Sequence, residues 1–373
     1  MGSRGDRAAR RRRAQDNERK RRAEASHAPG EPRPEEFGIT LPSSPKPGGR
    51  PPRPDMSGVD WEALAATYPD GERGLRRAMF IANVGDRTNR ANDFLTWGLR
   101  PNPVHPQSRL ARDDAAVTLR DEPNLVSSTA LYPTMNASEN LVAAAHVISF
   151  AILKGQLRTA AATALCRIAM ESSAKAIWLI RETDTEERLR RCYGFVKGEY
   201  GRLDEFERFT TEAFDTRADP LVAAERARFE RQRECSAERR AQISDLPNEA
   251  CQAPKGPLAL VAESANWIDE NVPRSPDPEV DRVVYPRDAK SFYSLSSGFV
   301  HGFKWLTAYV TPGDDSELLA ITLDALGNAL RMTECAVALY EAQATGPRPD
   351  PRRARNYPRG LADTVAALAP LYR

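Results

Sequence analysis

The sequence predicts an all-α fold, an antiparallel helical bundle held between N- and C-terminal extensions that are expected to be disordered. Three observations lead there. From about Ser127 to Thr345 the apolar residues recur at helical spacing. No stretch of convincing length alternates apolar and polar residues as a half-buried strand would. Most of the 29 prolines stand outside the periodic stretches. With 373 residues, 40% of them hydrophobic and 28% charged, the chain has enough apolar material for a sizeable core.

Residues 1–56 form a leader that is charge-dense from Arg10 to Arg22 and rich in Pro and Gly from Pro29 to Pro54. Neither part holds enough apolar surface to offset the entropy of ordering it. The leader carries 14 Lys/Arg against 8 Asp/Glu, a net of +6. A solvated tail is the expectation, with non-specific contact to nucleic-acid phosphate as the functional alternative. Residues 57–130 read as a partly helical connection, loosely packed on the main domain. Trp61, Leu64 and Tyr68 suit one short helix, and Leu75, Met79, Phe80 and Val84 another, before a Pro-rich extended stretch between Leu99 and Pro123.

Residues 131–346 are the predicted bundle. Asn136 with Glu139 reads as a capped helix start, Leu141, Ala145, Ile148 and Ile152 share one face, and Gly155 stops the helix. A second helix from about Leu157 to Arg181 pairs with it as an antiparallel hairpin. Thr183 with Glu186 repeats the capping pattern ahead of a third helix bearing Leu189, Tyr193, Val196 and Tyr200. Residues 220–244 read as one long exposed helix laced with ion pairs, anchored by Leu221, Val222, Phe229 and Ile243. A short helix is expected around Leu258 to Ile268. Two more follow, one over about Asp288 to Val310 and stopped by Pro312, the other capped by Asp314 with Glu317 and running to Gly346. The tail, 347–373, is Pro- and Arg-rich with a short helix near Leu361 to Leu368.

Several function classes fall away. Outside the leader the chain is net −4, which does not describe a dedicated DNA-binding surface. The five cysteines are odd in number and widely spaced, with no C-x-x-C pair, so a reducing compartment is expected and no disulfide framework. Arg10 to Arg13 precede no apolar segment and no run has transmembrane length, so the expectation is a cytoplasmic chain without a membrane partner. There is no phosphate-binding glycine loop, nucleophile elbow or paired-histidine metal motif, so no cofactor and no metal are expected.

The most informative segment is Tyr293-Ser294-Leu295-Ser296-Ser297-Gly298-Phe299-Val300-His301-Gly302. On one helix Ser294, Ser297, His301 and Lys304 would share a face, with Tyr293 and Trp305 close beside it. Gly298 and Gly302 each lower helix propensity by about 1 kcal/mol relative to Ala, which close approach of another helix or a ligand would explain. On the second helix Arg167 and Glu171 stand four apart. They would form a structural ion pair, orient His301, or grip a phosphate and a base. His146, on a row with Val142, Ser149 and Leu153, reads as a hydrogen-bonded core residue.

A helix reading Arg167-Ile168-Ala169-Met170-Glu171, followed later by one reading Ser297 through His301-Gly302, resembles HEPN-type helical proteins. The likeness is nearest to an uncharacterised prokaryotic branch carrying Arg-x-x-x-Glu and Ser-x-x-x-His, over roughly residues 135–345. The resemblance implies a bundle of four or five helices, often a homodimer, linked in many relatives to RNA cleavage or to defence and toxin systems. Catalytic members carry an Arg about a turn before the His, where this chain has none. Arg167 would then supply the guanidinium from a neighbouring helix. In a metal-independent ribonuclease reading His301 is the general acid/base, Arg167 and Lys304 stabilise phosphate charge, and Glu171 and Ser297 hold the geometry, while Tyr293 and Ser294 contact substrate. The competing reading is a non-catalytic dimerisation or protein-interaction module. A helical metal–carboxylate site is disfavoured, since no Glu-x-x-His pair occurs.

Overall fold

The computed structural model describes residues 60–120, 122–217, 219–274, 286–308, 315–348 and 350–372, with the side chains of 286–288 and 315 left aside. The leader, Pro312 and Asp314 lie outside the described residues. Among those described every regular element is helical, as the sequence predicts. None of these helices is long and apolar enough to cross a membrane.

The chain divides into two units at Arg76. In the first, α1 (Trp61–Ala66) is started by Asp60, whose carboxylate accepts the Ala63 N–H at 2.9 Å. Asp70 and Gly71, both at positive φ, then turn the chain into α2 (Glu72–Asn92), and Leu75 packs with Leu64, Ala65 and Tyr68.

The second unit contains the bundle. Its centre is a layer of three long helices, α5 (Leu125–Leu153), α6 (Thr159–Ile180) and α12 (Asp315–Ala344), with α6 packed against both of the others and α5 and α12 in lesser contact. The helices α10 (Pro257–Asn271) and α11 (Pro286–His301) lie against α6 and against each other. The α5–α6 hairpin turns at Gly155, φ +62°, as expected. Its start differs. The helix begins at Leu125, well before Asn136, and runs through Pro133. The N-cap residue Asn124 makes no capping hydrogen bond; Asp114 accepts the Ser127 N–H at 2.9 Å instead. A carboxylate brought in from another segment satisfies the orphan donors, so no local capping pattern marks the start.

The stretch 77–130 is more firmly built in than a loose connection. Val84 and Ala91 of α2, Phe94 and Trp97 of α3 (Phe94–Leu99), and Leu110 of α4 (Arg109–Ala115) all belong to the main core. Arg87 donates to the Leu323 carbonyl at 2.6 Å and Arg90 pairs with Glu334 at 2.5 Å, which fixes this part of α2 to α12. The helix predicted after the hairpin, α7 (Thr185–Asp215), is capped by Asp184, one residue after the expected Thr183. Residues 220–244 form two helices, α8 (Pro220–Cys235) and α9 (Ala237–Ser244), divided at Ser236. Of the expected anchors, Ile243 is buried and Phe229 packs edge-on against Phe206 and Phe214, but Leu221 is exposed. His146 is also exposed: the core face of α5 is Leu141, Val142, Ala144, Ala145 and Ile148, and of the row expected for His146 only Val142 reaches it. Cys166, Cys192 and Cys335 are buried, and burial pushes the thiols of the first two up to about 12, so they act as small core hydrophobes.

The C-terminal end of α6 is capped from three directions. Arg191 donates to the Trp178 carbonyl at 2.8 Å, Gln343 to Ile180 at 2.7 Å and Tyr372 to Arg181 at 2.8 Å. The last carbonyls of a helix have no intrahelical partners, and each is satisfied here by a side chain from a different element. The tail helix α13 (Leu361–Leu368) packs on α12, burying Leu361, Val365 and Leu368 at about 1.5–3 kcal/mol apiece.

Two fully buried carboxylates organise this end of the bundle. Asp113 meets Arg188 at 2.7 Å, both with no exposed side-chain surface. Glu341, likewise fully buried, accepts from Trp97 Nε1 at 2.8 Å, Arg353 Nε at 2.7 Å and the Tyr357 hydroxyl at 2.7 Å. Glu341→Ala leaves the Arg353 guanidinium buried without its counter-charge, and should lower unfolding free energy by about 3–5 kcal/mol in urea titration.

Burial raises the Asp114 carboxyl above its ordinary 3.8, and its hydrogen bonds to Ser127 and Val126 offset this only in part. The folded state then binds the proton more tightly than the unfolded state, so this group weakens the fold above the unfolded value and ceases to do so below it. Asp114→Asn, which keeps the accepting oxygen, should raise the Tm at pH 7. In a pH series of thermal melts the gain should vanish as pH falls past the ordinary carboxylate value.

Candidate functional site

Arg167 and Glu171 stand one turn apart on the face of α6 that meets α11, which places them opposite Tyr293. The three side chains close a ring. Arg167 Nε donates to Glu171 Oε1 at 2.9 Å, Arg167 Nη2 to the Tyr293 hydroxyl at 2.8 Å, and that hydroxyl to the same Glu171 oxygen at 2.8 Å. The guanidinium carbon also lies 4.5 Å from the centre of the Tyr293 ring. Burial pulls the Arg167 guanidinium down, but its bonds to Tyr293 and Glu171 outweigh that and hold it above its ordinary value. Burial, then the bond to Glu171, push the Tyr293 hydroxyl up, so it stays a proton donor at neutral pH. The pairing of 167 with 171 read from their spacing is therefore formed, and the residue it orients is Tyr293.

His301 is placed elsewhere. It ends α11, eight residues beyond Tyr293 and so about 12 Å further along the axis. Its imidazole is exposed and stacks on Phe303, ring centres 5.5 Å apart and planes at 28°. The four polar residues expected along one stripe separate accordingly. Ser294 is exposed. Ser297 turns its hydroxyl back to the Tyr293 carbonyl at 3.0 Å, and Ser296 donates to the same oxygen at 2.9 Å. Lys304 is not on the helix at all; it opens a short 3-10 turn over Lys304–Ala308. The expected convergence of 167, 171, 297 and 301 in a single polar pocket does not occur in this geometry.

Gly302 is the physical reason. Its φ of +64° is left-handed, and the Gly302 N–H bonds back to Phe299 while the Phe303 N–H bonds to Gly298 at 2.9 Å. This pairing closes a helix C-terminus, so α11 stops at His301 instead of continuing toward Val310. The second glycine has a different role. A Cβ at Gly298 would stand 2.8 Å from Trp305 and 3.1 Å from Leu306, so glycine makes room for the turn to fold back on the helix. The chain's own next segment makes the close approach, where the sequence suggested another helix or a ligand.

The result is a compact exposed group at the end of α11: His301 and Phe303 stacked, Lys304 beside them, and Trp305 partly seated against Gly298. Phe303 went unremarked in the sequence. The Gly302-Phe-Lys-Trp run after a helical stretch was its only signal, legible once Gly302 is recognised as the helix stop. Among the described residues no group of three His, Cys, Asp or Glu is placed to hold a metal ion.

Tyr293→Phe removes two hydrogen bonds while keeping the ring under the guanidinium, and should cost about 1–3 kcal/mol of stability. His301→Ala, at an exposed helix end, should stay within about 0.5 kcal/mol of the parent. Parallel urea unfolding of the two variants checks the contrast. Comparison of the chain with protein-family models, curated proteins and solved structures gives no match.

Proposed function

We propose that this chain is a HEPN-like helical module that binds single-stranded RNA, and that the end of α11 is the contact. The observation that carries the reading is the exposed His301–Phe303 stack with Lys304 and Trp305 alongside. Unpaired bases offer flat faces that stack on aromatic and imidazole rings, and the adjoining phosphates call for a nearby cation. The turn fixed by Gly302 holds these groups in advance, so little ordering entropy opposes binding. The basic leader adds sequence-independent attraction to the same ligand.

Binding, and not cleavage, is the activity proposed. Acid–base catalysis at a 2′-hydroxyl needs the imidazole within hydrogen-bond reach of the proton it takes, with a cation aimed at the phosphate. Arg167 is held by Glu171 and Tyr293, about two helical turns along the axis from the imidazole. Fluorescence anisotropy with a labelled single-stranded RNA should show affinity falling with salt. Phe303→Ala should weaken binding by about 1–3 kcal/mol, and Tyr293→Phe should leave it unchanged. Equal affinity for duplex RNA, or indifference to Phe303→Ala, would reject the assignment.

A second reading rests on Val300, Phe303 and Trp305, which are 48%, 50% and 43% exposed within six residues. Large apolar side chains grouped on a surface also suit a protein partner or a homodimer. Light scattering across a concentration series separates the two: a dimer dissociated by Phe303→Ala and insensitive to RNA favours the protein contact.

A further inference from the structure

A cavity of about 460 Å³ opens between α4, the end of α12 and α13, and shares no lining residue with the group at the end of α11. Its size falls within the range of small-molecule sites. The floor is apolar, built by Ala342, Val365 and Ala369, and one wall is Tyr357. Three arginines, Arg109, Arg112 and Arg353, also line it.

Among the described residues that line the cavity, three arginines stand against one aspartate. Glu341 is fully buried and accepts from Arg353, Trp97 and Tyr357. Asp113 is fully buried and serves Arg188 at 2.7 Å and Arg109 at 3.6 Å, while Arg109 Nη2 donates to the Thr183 carbonyl at 2.6 Å and to Thr185 Oγ1 at 2.8 Å. Asp350, the acidic residue in the lining, accepts the Arg352 N–H at 2.8 Å and stands exposed. Arg112 reaches the Tyr372 carbonyl at a long 3.5 Å. Arg353 is itself more than nine-tenths buried, and its Nη2 finds no hydrogen-bond partner among the described residues. Burial first, then the neighbouring Arg188, push the Arg109 guanidinium below its ordinary value, with Asp113 pulling the other way.

We infer that this cavity is a binding site for a small organic anion, with an apolar body against the alanine and valine floor and a carboxylate or phosphate head among Arg109, Arg112 and Arg353. A guanidinium fork matches either head group, and a buried donor arm without a partner is the group such a ligand would satisfy. The inference is independent of the RNA reading, since it uses none of the same residues.

The probe is 8-anilinonaphthalene-1-sulfonate, an anion with an aromatic body, added to the full chain and then displaced by octanoate or by octyl phosphate. Displacement by one and not the other assigns the head group. Ala362 and Ala366 are exposed and present one face of α13, with Ala366 lining the cavity, so Ala366→Trp fills the space without entering the core. Arg112→Gln removes an exposed charge held by one long hydrogen bond. Each should weaken octanoate about tenfold or more while the melting curve stays put, and Arg355→Gln, an exposed arginine outside the cavity, should not. 1-Octanol should fail to displace the probe. Equal loss with Arg112→Gln and Arg355→Gln, full affinity in Ala366→Trp, or displacement by octanol as good as by octanoate would each overturn the inference.

Discussion

The bundle depends on one buried carboxylate. Glu341 sits fully buried near the end of α12 and is reached by Trp97 from the N-terminal side and by Arg353 and Tyr357 from the tail. A charge so enclosed is tolerated only where its hydrogen-bonding capacity is filled. Each donor is therefore held as firmly as it holds. Trp97 also meets Tyr340 edge-on, ring centres 6.2 Å apart, so the same contact aligns apolar packing with polar satisfaction. The tail is thereby drawn onto the bundle, and Tyr372 is placed to cap α6.

This anchoring leads directly to the cavity beside it. Arg353 spends its Nε on Glu341 and its Nη1 on the Pro103 carbonyl, which leaves the third nitrogen without a partner among the described residues. Asp113 pairs with Arg188 at 2.7 Å and stands 3.6 Å from Arg109, so one buried carboxylate faces two of the guanidinium groups here. Structural ion pairs and a surplus of positive charge thus arise from one arrangement.

At the other candidate site, helix termination decides the chemistry. Gly302 takes a left-handed φ, the chain turns, and Trp305 folds back over Gly298. His301, Phe303 and Lys304 gather at an exposed corner, while Arg167 remains inside a closed ring with Glu171 and Tyr293. Arg167 commits its Nε and Nη2 to a carboxylate and a phenol, and its buried Nη1 has no hydrogen-bond partner among the described residues; the imidazole, by contrast, is stacked in the open.

The sequence by itself determined the all-α class, the apolar faces of the central helices, the hairpin turn at Gly155 and the existence of the Arg167–Glu171 pair. All of these follow from local rules, from helical periodicity, positive-φ glycine and i,i+4 spacing. It also singled out the right segment of α11, though as one continuous polar stripe. Only the tertiary structure decided that Tyr293 completes the Arg167 ring, that His146 faces outward, that Asp114 caps a helix starting at Leu125, and that Glu341 gathers residues from both ends of the bundle. Those contacts join positions up to 244 residues apart, and no local periodicity records which distant donor a buried oxygen will meet.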